Sequence, residues 1–598
     1  HSDTHSFPTR RSSDLPYSRE FPFLSEGGEF PPEKDVAGKP ARVGVFLCQC
    51  YPSLEGVVDV DTICAKVKEC LPEVVLAQKI GYGCFPDGLE SIKSAIQEYD
   101  LNRIVIGGCS NRTHESLFQR VITEAGLNPY LLEMVNVRGF CAWVHPHQPD
   151  KATRKALEMI RVAAARTVAL EPISKSILSP TRRALVVGGG VAGMTASLAI
   201  ADAGFNVDLV EKEDVLGGNL LKVHYLVEGE NPSQLLRDLV NRVRVHERIT
   251  IHTRSELVDH TGHAGAYHAT IRERNGTETQ IPHAVAVIAT GGKETRVNQY
   301  LLGEHPRVIT QLELEDTITH RLEDVTDLDC VAMIQCVRPE GVGFDYCSRI
   351  CCVSTIKNAI RMKAINPNSQ VIVFYKDIIS YGFREQYYTE ARERGVIFVR
   401  YEEENKPIVE STNGKIKIQF KEPMLGNDME INPDILVLST SIAPSDGTQE
   451  LAKMLDVPLS NEGFFLEAHI KMRPMDFMKD GIFICGIAHY PKFIEESISN
   501  ALATAARATT FLSSQNYHYG GTVAEVDPEK CVGCLTCVRT CPFHVPSIDE
   551  DQSGVGELGG AAFIEPAFCH GCGTCTGECP ANAIQLKHYT DQQVMVPE

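Results

Sequence analysis

Apolar strands alternate with amphipathic helices from Arg42 onward, a pattern that is typical of α/β proteins. The β-branched and aromatic residues of 42–50 predict a buried strand, and residues 59–70 predict a helix. A strand, a helix and a strand follow, over 73–78, 89–99 and 103–106. The pattern therefore predicts a small α/β layer at the start of the fold.

An amphipathic helix over 150–168, with Asp150 as its N-cap, separates this layer from the next part of the chain. A linker is expected over 173–180, and a second α/β region runs from Arg183 to about Ser514. The tail is dense in Cys, Pro and Gly. Residues 1–15 resemble translated adaptor sequence and are left out of the fold. The expected divisions are a lead, an α/β domain, a helical linker, a larger α/β domain and a cysteine-rich domain, over 1–40, 41–148, 149–180, 181–515 and 521–598.

The amino-acid composition limits the classes of function that the chain can have. The chain has 598 residues, 78 acidic against 58 basic side chains, and a net charge of −20, which argues against nucleic acid as a partner. It has no apolar run of about 18 residues, so we expect no direct membrane insertion. Its 21 cysteines, an odd number in a large chain, do not fit a secreted disulfide framework. They favour metal or redox chemistry in a reducing, cytoplasmic compartment.

The tail repeats one cysteine motif, CxxCxxCxxxCP. Three thiolates of one such loop bind one 4Fe–4S cluster, and the fourth binds the cluster of the other loop. One cluster is thus predicted on Cys531, Cys534, Cys537 and Cys579, and the other on Cys569, Cys572, Cys575 and Cys541. Zinc is the alternative, but it gives no reason for the third step of the motif or for the prolines. The repeat resembles a bacterial two-cluster ferredoxin.

A glycine fingerprint opens the larger α/β domain. Gly188, Gly190 and Gly193 stand between a predicted strand and a predicted helix, where a GxGxxG turn binds a pyrophosphate. Glu211 ends the next strand, where a carboxylate can accept a ribose hydroxyl. Strand, turn, helix and acid together predict a dinucleotide site.

Three further segments resemble flavoproteins of the thioredoxin-reductase type, and for this reason we expect FAD rather than NAD. They are LGGN, VAVIATGG and GIFICGIAHY, and they supply the candidate contacts Gly217, Gly218, Asn219, Ala289, Thr290, Gly291 and Gly486. The aspartate usual after the glycine of the third segment is absent, since Ile487 and Ala488 follow Gly486.

A second GxGxxG, for NADPH, is missing where such a reductase would have one. The strand DCVAMIQCV leads instead into four candidate cluster ligands, Cys336, Cys347, Cys351 and Cys352. Buried apolar thiols are the alternative. We expect a metal site in place of the nicotinamide site.

A further group of cysteines follows the strands of the first α/β layer. Since parallel strands end at one edge of a sheet, these side chains are candidates for a shared cluster site, although isolated structural thiols remain an alternative. The candidates are Cys48, Cys50, Cys84, Cys109 and Cys141.

Taken together, residues 42–598 resemble the A-type component of heterodisulfide reductase, which is the flavin-containing component of the soluble enzyme of methanogens and of related complexes in anaerobic bacteria. The resemblance lies in RVGVFLCQC, GGCSNRTHE, GLNPYLLEMVNVRGFCAWVH, the glycine fingerprint, QCVRPEGVGFDYCSRICC, HYPKFIEESISNALATAARA and the double ferredoxin motif. It implies an α/β fold: a thioredoxin-reductase-like FAD-binding Rossmann domain, a small N-terminal α/β domain and a C-terminal ferredoxin domain with two 4Fe–4S clusters.

The resemblance also implies an oxidoreductase whose FAD bifurcates electrons between ferredoxin and a heterodisulfide. The implied partners are B- and C-like subunits, ferredoxin, a second copy of the chain, and a hydrogenase, formate dehydrogenase or NADH-oxidising module. Lys492, Glu495 and Arg384 are candidates for acting beside the flavin. Two departures stand out: no ferredoxin module is inserted between Gly218 and Val285, and Phe383-Arg384 replaces a lysine of the methanogen proteins.

Two other functions fit part of the sequence. A self-contained NAD(P)H-dependent oxidoreductase, like the ferredoxin-fused small subunit of glutamate synthase, would need a second nucleotide site. An assembly scaffold with a decayed flavin site would have no reason to keep the glycine fingerprint and Glu211.

Overall fold

The computed structural model describes residues 30–339, 346–422, 426–514 and 517–595. Most of the predicted lead, residues 1–29, lies outside this part. The chain divides into two compact units. One comprises His1–Ser176 and Tyr519–Glu598, and the other comprises Ile177–His518.

The first unit begins with a four-stranded parallel sheet of order β2-β1-β3-β4, covered by helices. The strands are β1 Val43–Cys48, β2 Val74–Ile80, β3 Arg103–Gly107 and β4 Leu132–Val135. The helices are α1 Val60–Cys70, α2 Pro86–Glu98, α3 Asn111–Glu124 and α4 Pro149–Val168, with a π-helical turn at Arg138–Ala142. Strand β4, with only four residues, was not predicted.

Two sequence expectations need correction here. Helix α4 has Gln148 as its N-cap, and Asp150 lies inside the first turn because Pro149 occupies the first helical position, where its fixed φ is favourable. The predicted linker over 173–180 contains a short strand, β5 Lys175–Leu178. By contrast, Asp59 caps α1 by accepting a 3.0 Å hydrogen bond from the Thr62 amide.

The second unit contains two parallel five-stranded sheets. The first has the order β23-β12-β6-β7-β8, and the second has the order β14-β21-β15-β16-β17. The first sheet consists of β6 Arg183–Val187, β7 Asn206–Val210, β8 Ile249–His252, β12 Val285–Ile288 and β23 Ile482–Ile484. The second consists of β14 Val308–Thr310, β15 Cys330–Val337, β16 Gln370–Tyr375, β17 Ile397–Arg400 and β21 Ile435–Thr440.

Helices and small antiparallel sheets surround these two sheets. The helices are α5 Val191–Asp202, α6 Pro232–Val245, α7 Gln311–His320, α8 Glu323–Thr326, α9 Cys351–Ile365, α10 Glu385–Glu393, α11 Thr448–Leu455 and α12 Ile494–Ser513. The antiparallel strands are β9 Ser255–His263, β10 Ala266–Glu273, β11 Glu278–His283, β13 Gly292–Glu294, β18 Ile408–Thr412, β19 Lys415–Lys421, β20 Asp428–Ile431, β22 Ile442–Pro444 and β24 Tyr517–Gly520. Helix α5 is apolar on every side because α12 and the first sheet enclose it.

The cysteine-rich tail belongs to the first unit. Its elements are β25 Ala524–Val526, α13 Thr536–Thr540, β26 Ser547–Ser553, β27 Gly559–Phe563, α14 Thr574–Gly577, β28 Ile584–Leu586 and α15 Asp591–Val594. The Arg166 side chain in α4 donates a 2.7 Å hydrogen bond to the His588 carbonyl. The Tyr130 and His588 rings meet edge to face at 5.9 Å. The tail is therefore packed against the α/β layer that begins the chain.

Candidate flavin and iron–sulfur centres

The glycine turn follows β6 and leaves space where a dinucleotide would lie. A Cβ on Gly193 would come within 1.8 Å of the Gly188 carbonyl oxygen, so helix and turn pack too closely for a side chain. Gly188, at φ +109°, likewise has no room beside the Ala289 carbonyl. A Cβ on Gly190, in contrast, would meet nothing within 4 Å. Gly190 therefore borders open space at the start of α5, where free amides favour a phosphate.

Glu211, one residue beyond β7, is buried beside this turn. Its carboxylate accepts a 2.7 Å hydrogen bond from the Gly189 amide and a 2.8 Å bond from the Glu213 amide. A carboxylate oxygen accepts more than one bond, so Glu211 can also accept a ribose hydroxyl. The acid that the sequence predicted thus lies at the glycine turn itself.

The LGGN segment closes over the same turn. The Gly217 amide donates to the Gly189 carbonyl at 2.9 Å, and a Cβ on Gly218 would lie 3.2 Å from the Gly190 Cα. The Asn219 side chain donates to the Gly292 carbonyl at 2.7 Å, which ties the segment to the VAVIATGG strand end.

Among the described residues, the buried Thr290 hydroxyl in that strand end has no hydrogen-bond partner. An unpaired buried hydroxyl is costly, and a polar group of a dinucleotide would satisfy it. The neighbouring Gly291 has φ +76°. The residues present therefore fit FAD.

A buried lysine lies in the third flavoprotein-like segment. The Lys492 ammonium donates to the Gly486 carbonyl at 3.1 Å and lies 3.2 Å from the centre of the Tyr490 ring. Burial, and then the charge of Arg349, lower the pKa of Lys492 to about 7. The Gly486 amide donates to the Asn500 side chain of α12 at 2.7 Å.

Arg384 and Glu495 form an ion pair with each other. The Arg384 guanidinium also lies 4.0 Å from the centre of the Phe493 ring and 3.5 Å from the Glu228 carboxylate. The structure brings both predicted residues together, but as mutually neutralising partners.

Glu496, which sequence reasoning missed, makes more hydrogen bonds than Glu495. Its carboxylate accepts from the Arg349 side chain at 2.9 Å, the Tyr381 hydroxyl at 2.8 Å and the Phe493 amide at 2.9 Å. The signal in the sequence was its position, because an acid at the third residue of a helix commonly reaches back to the helix start.

The four cysteines of the second sheet lie where β15 ends and α9 begins. Cys336 has φ +59° at a register shift in β15, and Cys351 is the first residue of α9. The hydrogen bond between the Cys351 and Cys352 side chains raises the pKa of Cys351, as burial also does, and lowers the pKa of Cys352 although burial opposes it. Burial raises the pKa of Cys336, and the charges of Cys352 and Cys347 add to the effect. All four sulfurs are thus close enough to interact.

Arg349 connects this cysteine segment to the flavin-edge segment. Its guanidinium donates to the Pro491 carbonyl at 3.0 Å and to Glu496, and lies 5.3 Å from the centre of the Tyr490 ring. Cys347 accepts a 3.3 Å hydrogen bond from the Arg349 amide. A single residue therefore touches one candidate cluster ligand and the segment that carries Lys492.

The tail cysteines line two small cavities of similar size. The first is lined by Cys569, Cys572, Cys575 and Cys541, and the second by Cys531, Cys534, Cys537 and Cys579. Each loop thus supplies three thiols to its own cavity and the fourth to the other, the partition that the motif predicts.

Backbone amides point at several of these sulfurs. Cys531, Cys569 and Cys579 accept N–H bonds of 3.3–3.4 Å, from Ala562, Ala524 and Ala583. Bonds of this kind stabilise thiolate ligands. Burial, and then the charges of Cys569 and Cys541, raise the pKa of Cys575 to about 11.

The distances between cysteine sulfurs can be compared with those that a tetrahedral zinc ion requires. Tetrahedral zinc with bonds of about 2.3 Å needs thiolates about 3.8 Å apart. Within the described ranges, no three cysteine sulfurs lie within 4.8 Å of one another. In the described residues the cysteine sulfurs are therefore not arranged for tetrahedral zinc.

The amino-terminal cysteines converge only in part. Cys50 shares hydrogen bonds with Cys109 and with Cys48. The bond with Cys109 lowers the pKa of Cys50, whereas the bond with Cys48 and burial raise it, and the net result is a pKa of about 11. Burial, and then Cys109, raise the pKa of Cys84. Gly83 and Gly108 leave room for the Cys48 sulfur, since a Cβ at either would come within 3.0 Å of it.

Cys141 is fully buried and has a different neighbour. Its sulfur lies 3.6 Å from the Met159 sulfur of α4, and burial raises its pKa. Cys141 stays a candidate for the shared site: it lies in the π-helical turn that follows β4, and the Arg138 amide of this turn donates a 2.9 Å hydrogen bond to the Gly108 carbonyl beside Cys109.

Comparison with known proteins agrees with this geometry. Residues 182–327 match the family model described as pyridine nucleotide-disulphide oxidoreductase, and residues 530–584 match the 4Fe-4S dicluster domain. The second A-type iron–sulfur component of the CoB–CoM heterodisulfide reductase of Methanopyrus kandleri is 32% identical, over 85% of this chain and 91% of the relative. The A-type component of the Methanocaldococcus jannaschii enzyme is also 32% identical, over 93% and 97%.

The chain belongs to the A-type family of heterodisulfide reductase components. It is an oxidoreductase subunit that transfers electrons through FAD and iron–sulfur clusters, with an α/β fold that includes a pyridine nucleotide-disulphide oxidoreductase domain. A thioredoxin reductase from Lactococcus lactis superposes on 56% of the chain and 99% of its own length, with 15% identity and a TM-score of 0.40. No helix in the described residues is both long and apolar enough to cross a membrane.

Two glycine variants separate cofactor binding from folding. Gly190→Ala puts a methyl group into the open space, so FAD affinity should fall at least about tenfold while the stability of the apoprotein changes by about 1 kcal/mol or less. Gly193→Ala meets the Gly188 carbonyl and should destabilise the flavin unit by about 3 kcal/mol or more. Flavin fluorescence titration and denaturant unfolding measure the two effects. Normal FAD binding by Gly190→Ala would contradict the assignment.

Double variants test the crossed ligation of the tail. Cys531→Ala with Cys579→Ala removes two ligands of one predicted cluster, so the chain should lose about four iron atoms. Cys531→Ala with Cys541→Ala removes one ligand of each and should cost about eight. Iron analysis and electron paramagnetic resonance of anaerobic protein distinguish these results. The reverse pattern, with about eight iron atoms lost in the first variant and about four in the second, would rule out the crossed arrangement.

The amino-terminal group gives a similar contrast. Cys109→Ala should lower the iron content by about four atoms per chain, because Cys109 contacts Cys50. Cys141→Ala, which affects a sulfur that contacts Met159, should leave the iron content unchanged. Iron loss in Cys141→Ala without loss of folding, as checked by circular dichroism, would instead make Cys141 a ligand.

Proposed function

We propose that this chain is the electron-bifurcating FAD subunit of a heterodisulfide-reductase-like complex in a reducing cytoplasm. It would receive electron pairs from a donor module and divide them between ferredoxin and a disulfide-reducing partner. The proposed partners are B- and C-like subunits, a second copy of the chain, and a hydrogenase, formate dehydrogenase or NADH-oxidising module.

The proposal rests on the contacts that Arg349 makes between the cysteine segment and the flavin-edge segment. In a pyridine-nucleotide reductase the second Rossmann-type domain presents a nicotinamide to the flavin. Here the corresponding β15–α9 turn holds four cysteines, and Arg349 between them contacts Pro491 and Glu496 at the flavin-edge segment. This arrangement favours transfer of single electrons between flavin and cluster over hydride transfer.

FAD, when bound, supplies the exchange between two-electron and one-electron chemistry. The residues of the chain would position and tune it: Gly190 and the start of α5 hold the pyrophosphate, Glu211 the ribose, and Lys492 places a positive charge near the ring. The cysteine groups would provide routes for electrons leaving the flavin, namely Cys336–Cys352, the two tail cavities, and Cys48, Cys50, Cys84 and Cys109.

Stopped-flow mixing of the anaerobic FAD- and cluster-loaded chain with NADH or NADPH tests the absence of a nicotinamide site. We expect no flavin reduction on the timescale of turnover. Rapid reduction would favour a self-contained pyridine-nucleotide oxidoreductase instead. The native complex, isolated from the source cells and analysed by mass spectrometry, would identify the donor module.

Two cysteine variants test the proposed electron route through the Cys336–Cys352 group. Cys347→Ser removes an exposed candidate ligand, so the complex should keep its FAD but deliver electrons to one of its two acceptors at least about tenfold more slowly. Cys330→Ser, at the start of β15 and outside the group, is the control and should behave as wild type. Unchanged delivery to both acceptors in Cys347→Ser would overturn the route.

Lys492 should set the flavin potential in a pH-dependent way. Lys492→Met removes a cation that favours negative charge on reduced flavin, so the midpoint potential should fall by on the order of 30 mV. Because the pKa of Lys492 is lowered to about 7, the lysine is charged below pH 7 and neutral above it. The difference from wild type should therefore be largest at pH 6 and shrink by pH 8 in redox titrations. Lys492→Arg should show no such decline.

A further inference from the structure

Two histidines and an aspartate converge in the second unit, outside the flavin and cysteine groups. They are His224, in the loop after the Gly218–Lys222 turn, and Asp316 and His320 on α7. One ligand atom from each lies within 4.8 Å of the other two. Among the described residues, this is the one such group of three His, Cys, Asp or Glu side chains.

The distances suit a bound ion better than direct hydrogen bonds. His224 Nε2 lies 3.4 Å from Asp316 Oδ1, and His320 Nδ1 lies 3.5 Å from the same oxygen. Good N–H···O bonds are 2.7–3.2 Å long. A tetrahedral ion with bonds of about 2.0–2.1 Å holds its ligand atoms about 3.4 Å apart. The two imidazole rings stand edge to face at 4.9 Å, at an angle of 73°.

The surrounding structure holds these residues in place. Asp316 and His320 are four residues apart, so they lie on one face of α7. The backbone of His224 is attached to the same helix, because its amide donates a 2.6 Å hydrogen bond to the buried Glu315 carboxylate. Lys357 of α9 pairs with the other Glu315 oxygen at 2.6 Å and donates to the Tyr225 carbonyl at 2.9 Å.

We propose that His224, Asp316 and His320 bind a divalent transition-metal ion of the Zn²⁺ class. Two imidazoles and a carboxylate are a ligand set for zinc and its neighbours, whereas Mg²⁺ and Ca²⁺ prefer oxygen throughout. Asp316 and His320 are each more than half exposed, so water can complete the coordination. The ion would link the loop that follows the LGGN segment to α7. The proposal is independent of the electron-transfer function.

Zinc binding to the full chain, purified anaerobically with its clusters and FAD in place, tests the site. After a chelator wash and equilibrium dialysis against Zn²⁺, wild type should hold one more zinc per chain than His320→Ala or Asp316→Asn. Zinc affinity at this site should fall at least about tenfold in either variant. Zinc should also raise the melting temperature of wild type and leave that of the variants unchanged.

His246→Ala is the matched control, because His246 also pairs with an aspartate, Asp202 at 3.3 Å, but belongs to no group of three ligands in the described part of the chain. It should bind zinc like wild type. Anomalous diffraction at the zinc edge should place the ion between His224, Asp316 and His320. Equal zinc content in all four proteins, or an anomalous peak at the cysteines alone, would overturn the proposal. Asp316→Asn keeps the test valid if His320→Ala does not fold.

Discussion

The Arg349–Glu496 ion pair is the interaction on which the candidate electron pathway depends. Both side chains are about one-third exposed, so solvent screening limits the pair to about 1 kcal/mol or less of stability. Its importance is positional. Arg349 stands between candidate cluster ligands, and Glu496 begins the helix that packs on the flavin-binding helix. The pair therefore holds the candidate cluster ligands beside the flavin-edge segment.

The features that could be predicted from the sequence are those defined by short local patterns. The tail cysteines and the glycine turn are defined by spacing within a few residues, and the structure places each predicted residue beside its cavity or its turn. The amino-terminal cysteines depend on which strand ends meet, which spacing does not encode, and so their grouping stays a prediction. The pairing of Arg384 with Glu495 and the role of Glu496 are likewise long-range contacts, without a local signature.

Burial keeps several of the candidate ligand thiols protonated. The pKa values of Cys50, Cys84, Cys336 and Cys575 are all raised, so these side chains hold protons at neutral pH. Cluster ligands must be thiolates, so ligation at the proposed sites would release protons. Cluster insertion there would accordingly be favoured by higher pH.

The packing of the tail on the first sheet has a consequence for biosynthesis. Arg166 and His588 are 422 positions apart in sequence, yet their hydrogen bond lies inside one compact unit. Since domains fold as the ribosome delivers them, the second unit can complete itself while the first still awaits its last segment. The opening α/β layer must then persist as an incomplete partner through most of translation. Nascent chains that stall before the tail would expose this surface to chaperones and proteases, so only full-length chains would escape quality control.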